Sequence, residues 1–186
     1  MRKKLNIVLF AYNFPHRKTH DFIHEIIRLS QSRDNFYKLS LILAADFIKI
    51  HSTKSIFKKE QDTLNCSPKE LAEKYSIPFK VVAHNSLQSI SLIKKHKINF
   101  GIISGARILK KEIIQEIRYG ILNFHPGILP VIRGLDSMFW SIYKDVPIGV
   151  TAHLINEKID SGYLVYQQEL IFSDDENMEA INEKNY

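Results

Sequence analysis

A single cysteine, Cys66, leaves the chain unable to form an internal disulfide, and a reducing, cytoplasmic setting is the simplest home for it. Long apolar runs are missing as well: none approaches the roughly 18 residues that a membrane span needs. The basic opening Met1-Arg2-Lys3-Lys4 and the apolar run from Ile7 to Tyr12 are too short for a signal peptide. No small-residue cleavage site follows, so the run reads as a first strand. Glycine is scarce in a more telling way. All seven glycines lie at or after Gly101. A phosphate cradle needs glycines where the backbone must approach the ligand, so neither a dinucleotide-binding fingerprint nor a P-loop can follow that first strand.

The remaining composition is ordinary for a globular protein, and 186 residues suffice for one domain with a real core. Charge is unevenly spread. Residues 1–100 hold 18 Lys and Arg against 8 Asp and Glu, whereas residues 101–186 hold 8 against 12. A basic half raises the local concentration of anionic ligands, although lysines that merely solvate helices give the same count. Aromatic residues are not interleaved with the basic ones as a single-strand binder requires, so nucleic acid is not expected as a partner.

Along the chain, apolar patterning alternates between strand and helix. Asn6 to Tyr12 is a continuous apolar run, as in a strand buried on both faces. Thr19 is placed to cap a helix whose Phe22, Ile23, Ile26 and Ile27 recur at helical spacing, with Asp21 in its first turn. Tyr37 to Ala45 reads as a second strand, and residues 46–66 show no clear period. Ser67-Pro68-Lys69-Glu70 announces a helix through a capping serine, a proline at the first position and the reciprocal glutamate. A third strand is expected over Phe79 to Ala83. Ser86 then opens a helix with Leu87, Ile90 and Ile93 inward, and a fourth strand runs from Ile98 to Ile103. Leu109, Ile113, Ile114 and Ile117 share the face of a further helix that Gly120 stops. Beyond Gly120 come a strand at Ile121 to His125, a punctuated loop over 126–134 and a short helix with Phe139, Trp140 and Tyr143. A strand from Ile148 to Ile155, a loop over 156–162 and a last strand near Tyr163 to Gln168 follow, and Ser173-x-x-Glu176 could cap a final helix. Such alternation predicts an α/β fold, a mostly parallel central sheet with helices on both faces, in a single domain over residues 1–186.

Sites in open α/β sheets gather at the carboxyl ends of strands. Asn123 and His125 sit two apart at that end of the fifth strand and so share a face, with Pro126-Gly127 ending the strand and leaving the imidazole at the rim. Asp160 lies in a loop that the last two strands would have to bring back beside His125. Taken alone, an Asn-x-His pair reads as a structural histidine.

The surrounding pattern reads differently. Asn123-Phe-His-Pro-Gly-Ile-Leu-Pro-Val-Ile-Arg-Gly134, Gly149-Val-Thr-Ala-His-Leu-Ile155 and Ile159-Asp-Ser-Gly162 resemble the folate-dependent formyltransferase family. This family includes glycinamide ribonucleotide transformylase, methionyl-tRNA formyltransferase, sugar N-formyltransferases and formyltetrahydrofolate hydrolase. Ser104-Gly-Ala-Arg-Ile-Leu109 is similar to its folate-binding segment, and the resemblance covers roughly residues 100–170. It implies a Rossmann-like fold, N10-formyltetrahydrofolate as co-substrate, and Asn123, His125 and Asp160 as catalytic residues. Arg107, Ile108 and Leu109 would line the pterin pocket, closed by the loop of Asn156 and Glu157.

The chemistry suits these residue types. A formyl group moving to an amine passes through a tetrahedral oxyanion, which a carboxamide and an imidazolium can stabilise, while a carboxylate relays the proton and holds the imidazole charged. His153 shares a face with Thr151 and Ile155, where the family usually has a histidine in a supporting place; unaided, it reads as a core residue. Arg133 could meet an anionic substrate or simply face solvent. Trp140 and Phe139 read as packing, and Leu129-Pro130 is open to a cis bond, although cis is the minority state.

At the end of the first strand, Asn13, His16, Arg17 and Lys18 stand where the acceptor would sit. The ribonucleotide transformylases carry phosphate-binding glycines there, and this chain has none. Side chains could meet phosphate instead, or form an exposed basic turn. His16, His20 and His24 recur every four residues, but only Asp21 and Glu25 are near as further ligands, so no metal is assigned. The expected partner is a small amine, with an amino-sugar nucleotide preferred, and a homo-oligomer stays open. Hydrolysis of the donor, a methionyl-tRNA or glycinamide ribonucleotide acceptor, and a non-catalytic folate-binding module are the alternatives, the last because the chain stops at Tyr186 where family chains continue.

Overall fold

The computed structural model describes residues 4–31, 36–46, 66–173 and 175–185. Most of the unpatterned 46–66 stretch therefore lies outside the described residues. Two compact units divide them, one running to Ile121 and the other beginning at Leu122.

The first unit contains β1 (Leu5–Tyr12), α1 (Arg17–Ser30), β2 (Tyr37–Ala45), α2 (Pro68–Lys74), β3 (Phe79–Val81), α3 (Leu87–Lys95), β4 (Phe100–Ile103) and α4 (Lys111–Gln115). β1 pairs in parallel with both β2 and β4, and β2 in parallel with β3. Parallel strands need crossovers, and the helices between them supply these. Ile7, Leu9 and Ala11 pack on one side of β1 with Ile23 and Ile26 of α1 and Leu71 and Ala72 of α2. Val8 and Phe10 point the other way and are equally inaccessible, which is why β1 reads as an unbroken apolar run. Full burial of side chains such as Leu9 or Ile42 contributes about 1.5–3 kcal/mol each.

Helix starts show where pattern succeeded. Ser67 accepts from the Glu70 amide while Glu70 accepts from the Ser67 amide, the reciprocal box that the sequence announced. α1 instead begins at Arg17, two residues before the expected cap, with His16 in the capping position and no acidic residue in its first turn. Thr19 is unavailable as a cap because its hydroxyl is buried, 3.1 Å from His16 Nδ1 and 3.0 Å from Ser104 Oγ. On α3 the buried residues are Ser89 and Ile93, and Leu87 is 85% exposed, because it is the first helical residue and lies off the inward stripe. α4 is a short stretch rather than the long helix expected. Leu109 precedes it, buried all the same.

The second unit is built differently. β5 (Ile121–His125) and β6 (Gly149–Ile155) pair antiparallel, and β6 pairs antiparallel with β7 (Gly162–Glu169). Between β5 and β6 lies α5 (Ser137–Tyr143), and α6 (Met178–Asn185) closes the described chain. The expected cap at Ser173 is displaced: Asn177 Oδ1 accepts the Ala180 amide at 2.9 Å and caps α6. Glu176 instead accepts from the Ser173 amide and hydroxyl and pairs with Lys184. No helix among the described residues is long and apolar enough to cross a membrane.

Candidate active site

β5 places Asn123 and His125 two residues apart, and β6 lies antiparallel beside it with His153 opposite Asn123 and Thr151 opposite His125. All four side chains therefore belong to one face of a two-stranded ladder. The β6–β7 hairpin then returns the chain. Gly162 makes the return possible: at φ 129°, a Cβ there would lie 1.9 Å from the Leu154 carbonyl oxygen. Asp160, itself at φ 42°, is carried back to His125. Its Oδ1 stands 3.5 Å from His125 Nδ1, and its Oδ2 accepts the Gly134 amide at 2.7 Å.

The imidazole is not left at the rim as the sequence suggested. His125 is 3% exposed, because the loop after Pro126 folds back over it. Its Nε2 lies 3.1 Å from the Ile132 carbonyl oxygen and 3.5 Å from Ser137 Oγ. Gly127 permits this cover, since a Cβ there would come 2.9 Å from Nε2 and 2.8 Å from Ile132 Cγ2. A carbonyl and a carboxylate can only accept, so the ring is fully satisfied when both nitrogens carry protons.

The covering loop is fastened by side chains that sequence reading did not single out. Thr151, wholly buried, donates to the Gly127 carbonyl at 2.6 Å and accepts the Leu129 amide at 3.1 Å. Gln167 of β7 donates to Thr151 Oγ1 and to the Leu129 carbonyl. Asn185 of α6 donates to the Pro126 carbonyl at 3.1 Å. Leu129-Pro130 within the loop is cis. The available signal was their position: Thr151 and Gln167 stand opposite each other on the paired strands β6 and β7, beside a loop whose backbone groups need partners.

Asn123 is held by His153. Asn123 Nδ2 and His153 Nε2 are 3.2 Å apart, and His153 Nδ1 lies 3.2 Å from the Ser161 carbonyl oxygen. Burial lowers the pKa of His153 from its ordinary value. The Ser161 carbonyl and the Asp160 carboxylate pull it back up, and the Arg133 charge adds to the lowering. Arg133 is exposed on the loop, and Trp140 is half-exposed against Tyr143.

The remaining residues named from sequence are distributed over both units. In the first, Arg107 and Ile108 are exposed beyond β4, Ile108 to 61%, whereas the Leu109 side chain is buried. Asn85 holds this segment through the Ile108 carbonyl and the Lys110 amide. Asn13 donates to Asp46 at 2.8 Å, and His16 is buried against Thr19, Tyr12 and Phe14. Arg17 and Lys18 form the first residues of α1, not a turn, with Arg17 3.9 Å from Asp21 and Lys18 over the Phe22 ring. His20 and His24 lie against each other on α1, and Tyr75 meets His24. In the second unit, Asn156 and Glu157 are exposed, and the Asn156 side chain accepts the Lys158 amide.

Over 128 residues the chain is 32% identical to the methionyl-tRNA formyltransferase of Prochlorococcus marinus (strain NATL2A), covering 65% of this chain and 38% of that protein. Over 84 residues it is 33% identical to the methionyl-tRNA formyltransferase of Thermodesulfovibrio yellowstonii, covering 45% and 27%. The matched part thus spans well under half the length of these relatives. Among solved structures, the phosphoribosylglycinamide formyltransferase of Campylobacter jejuni superposes with a TM-score of 0.70 at 21% identity, covering all of this chain and 91% of that one. A sugar N-formyltransferase from Shewanella sp. superposes with a TM-score of 0.67 at 18% identity, covering 97% and 63%. These likenesses are of fold: the fold is the α/β one that the strand pattern predicts, and Rossmann-like as the resemblance implies. The model of the formyl transferase family matches residues 48–185, and the chain belongs to that family.

Proposed function

We propose that this chain transfers the formyl group of N10-formyltetrahydrofolate to a primary amine on a small, phosphate-bearing molecule, with an amino-sugar nucleotide as the preferred acceptor. The observation that carries the reading is the junction of β5 with the β6–β7 hairpin, where a buried imidazole meets a loop carboxylate on the face that also presents a fixed carboxamide. In this reaction the amine nitrogen bonds to the formyl carbon, the bond from that carbon to N10 breaks, and a proton passes from the amine to N10. Asn123 donates to the oxygen that gains charge. His125 does so as well when that oxygen replaces the Ile132 carbonyl as the partner of Nε2. Asp160 keeps the ring protonated and relays the proton.

The residues present are compatible with the folate co-substrate. Ile108, an apolar side chain left exposed past β4, offers a surface to a flat ring, and Arg107 and the backbone at Leu109 supply polar groups for its edges; in the second unit, the exposed Asn156 and Glu157 carry polar groups of their own. For the acceptor, Arg17 and Lys18 at the start of α1 support an anionic group, whereas Asn13 is engaged by the Asp46 carboxylate and His16 by the Thr19 hydroxyl. The test is to incubate the protein with the formyl donor and a panel of amino-sugar nucleotides while following release of tetrahydrofolate. Release that depends on one amine supports transfer. Release without any amine indicates hydrolysis, and demonstrated donor binding with no release under any condition refutes both.

A further inference from the structure

Hydrogen-bond chemistry around Asn123 determines more than the distances do. The Ser161 carbonyl can only accept, so His153 Nδ1 must carry the proton. Burial lowers the pKa of His153, and a ring that is neutral and protonated on Nδ1 has a bare lone pair on Nε2. Asn123 must therefore turn its NH2 group, not its oxygen, toward that lone pair at 3.2 Å. One N–H of Asn123 is used in this contact and the second N–H of the same nitrogen stays available. The tautomer of one residue thus sets which end of the other is the donor.

We infer that His153 is a positioning residue that holds the Asn123 carboxamide as a hydrogen-bond donor to the reacting formyl oxygen, and that proton uptake at His153 Nε2 turns the amide over and withdraws that donor. The inference rests on the formyl-transfer reading above. Once Nε2 bears a proton it faces the amide NH2 donor to donor, and the contact is restored only when Oδ1 takes the place of Nδ2. The charged groups that act on His153 come from two other segments. Asp160, in the β6–β7 loop, favours the proton, and Arg133, in the loop after β5, opposes it. His125, two residues along β5 from Asn123, is engaged by Asp160 and Ile132. Acid inactivation by this route acts through His153 and the amide.

The decisive experiment follows the Asn123 side-chain NH2 resonances, assigned by their loss in Asn123→Asp, together with the His153 imidazole signals from pH 8 to 4.5 without substrate. Asn123 is expected to shift with the same midpoint as His153 and to lose that transition in His153→Gln, whose carbonyl accepts from Asn123 and does not titrate. In turnover, His153→Leu should lower kcat about 10²-fold, as loss of one oxyanion donor does, with KM for the donor little changed. His153→Gln should recover most of the loss and flatten the acid limb. Asn123 resonances that ignore the His153 titration, or an acid limb unchanged in His153→Gln, would overturn the inference. The resonance titration reads the amide directly, so a protein that transfers no formyl group would defeat the functional reading while leaving this one decided.

Discussion

Replacing Thr151 by valine keeps side-chain volume nearly constant and removes one hydroxyl, which isolates the fastening of the loop over His125. That hydroxyl donates to the Gly127 carbonyl at 2.6 Å and accepts from the Leu129 amide and from Gln167 Nε2, both at 3.1 Å. Gln167 retains the Leu129 carbonyl as a partner, so it is not stranded. The Gly127 carbonyl and the Leu129 amide are, and each buried orphan costs about 1–3 kcal/mol. Because Leu129 is only half-buried, water can recover part of its share, and a total near 3 kcal/mol is expected. For a chain of this size that corresponds to a fall in Tm of about 6–12 °C. Urea unfolding and thermal scans of Thr151→Val measure it, and Thr151→Ser, which keeps the hydroxyl, should restore most of the loss. A Thr151→Val variant within about 1 kcal/mol of the parent would show that the loop keeps its path without the hydroxyl, and the reasoning would fail.

Asp160→Asn preserves an oxygen for the Gly134 amide but removes the charge facing His125, so turnover should fall about 10²–10⁴-fold while the urea midpoint barely moves. A variant with more than a tenth of parental turnover would exclude Asp160 from the proton transfers. Glu176 provides a pH test outside the site. Its contacts with Lys184 and Ser173 hold its carboxyl down at about 2. A carboxylate with a lowered pKa contributes stability that is complete above its ordinary value of 4.5 and is lost as pH falls toward 2. Amide-exchange protection in α6 should therefore be flat from pH 7 to about 5 and decline below that, and Glu176→Gln should remove the dependence. Protection that changes with pH in that variant would assign the effect elsewhere.

Local chemistry carried most of what the sequence revealed. β2, β5 and the α2 capping box sit where pattern placed them, because their signals, short stretches rich in strand-forming residues and a Ser-Pro-x-Glu start, depend on neighbours along the chain. α1 began early because the hydroxyl of Thr19 is drawn off by Ser104, a residue 85 positions away that no local rule can weigh. Leu87 failed as a core residue for the same reason: helical spacing defines a stripe but not which edge of it meets the sheet. At the candidate site, the strand period correctly put Asn123 and His125 on one face. It could not show that the following loop turns back over His125, since that path depends on Gly127 and on clamps from Thr151, Gln167 and Asn185.

The loop and the carboxylate are mechanically joined, and Gly134 is where the join can be tested. Asp160 divides its two oxygens between the His125 ring and the Gly134 amide, so anything that turns that amide away alters the carboxylate facing His125 Nδ1. Nothing lies within 4 Å of a Cβ built on Gly134, and space therefore permits a side chain. Its φ of 87° does not: alanine in the left-handed region costs about 1–2 kcal/mol, whereas asparagine tolerates that region better. If the strain is relieved by rotating the peptide, the N–H leaves Asp160 and the carboxylate loses its fixed direction. Turnover should then fall in the order glycine, asparagine, alanine, and fall further than the urea midpoints alone would require. Equal turnover in Gly134→Ala and the parent, with a lowered midpoint in the alanine variant, would show that the backbone strain is real but that Asp160 needs no help from the loop to face His125.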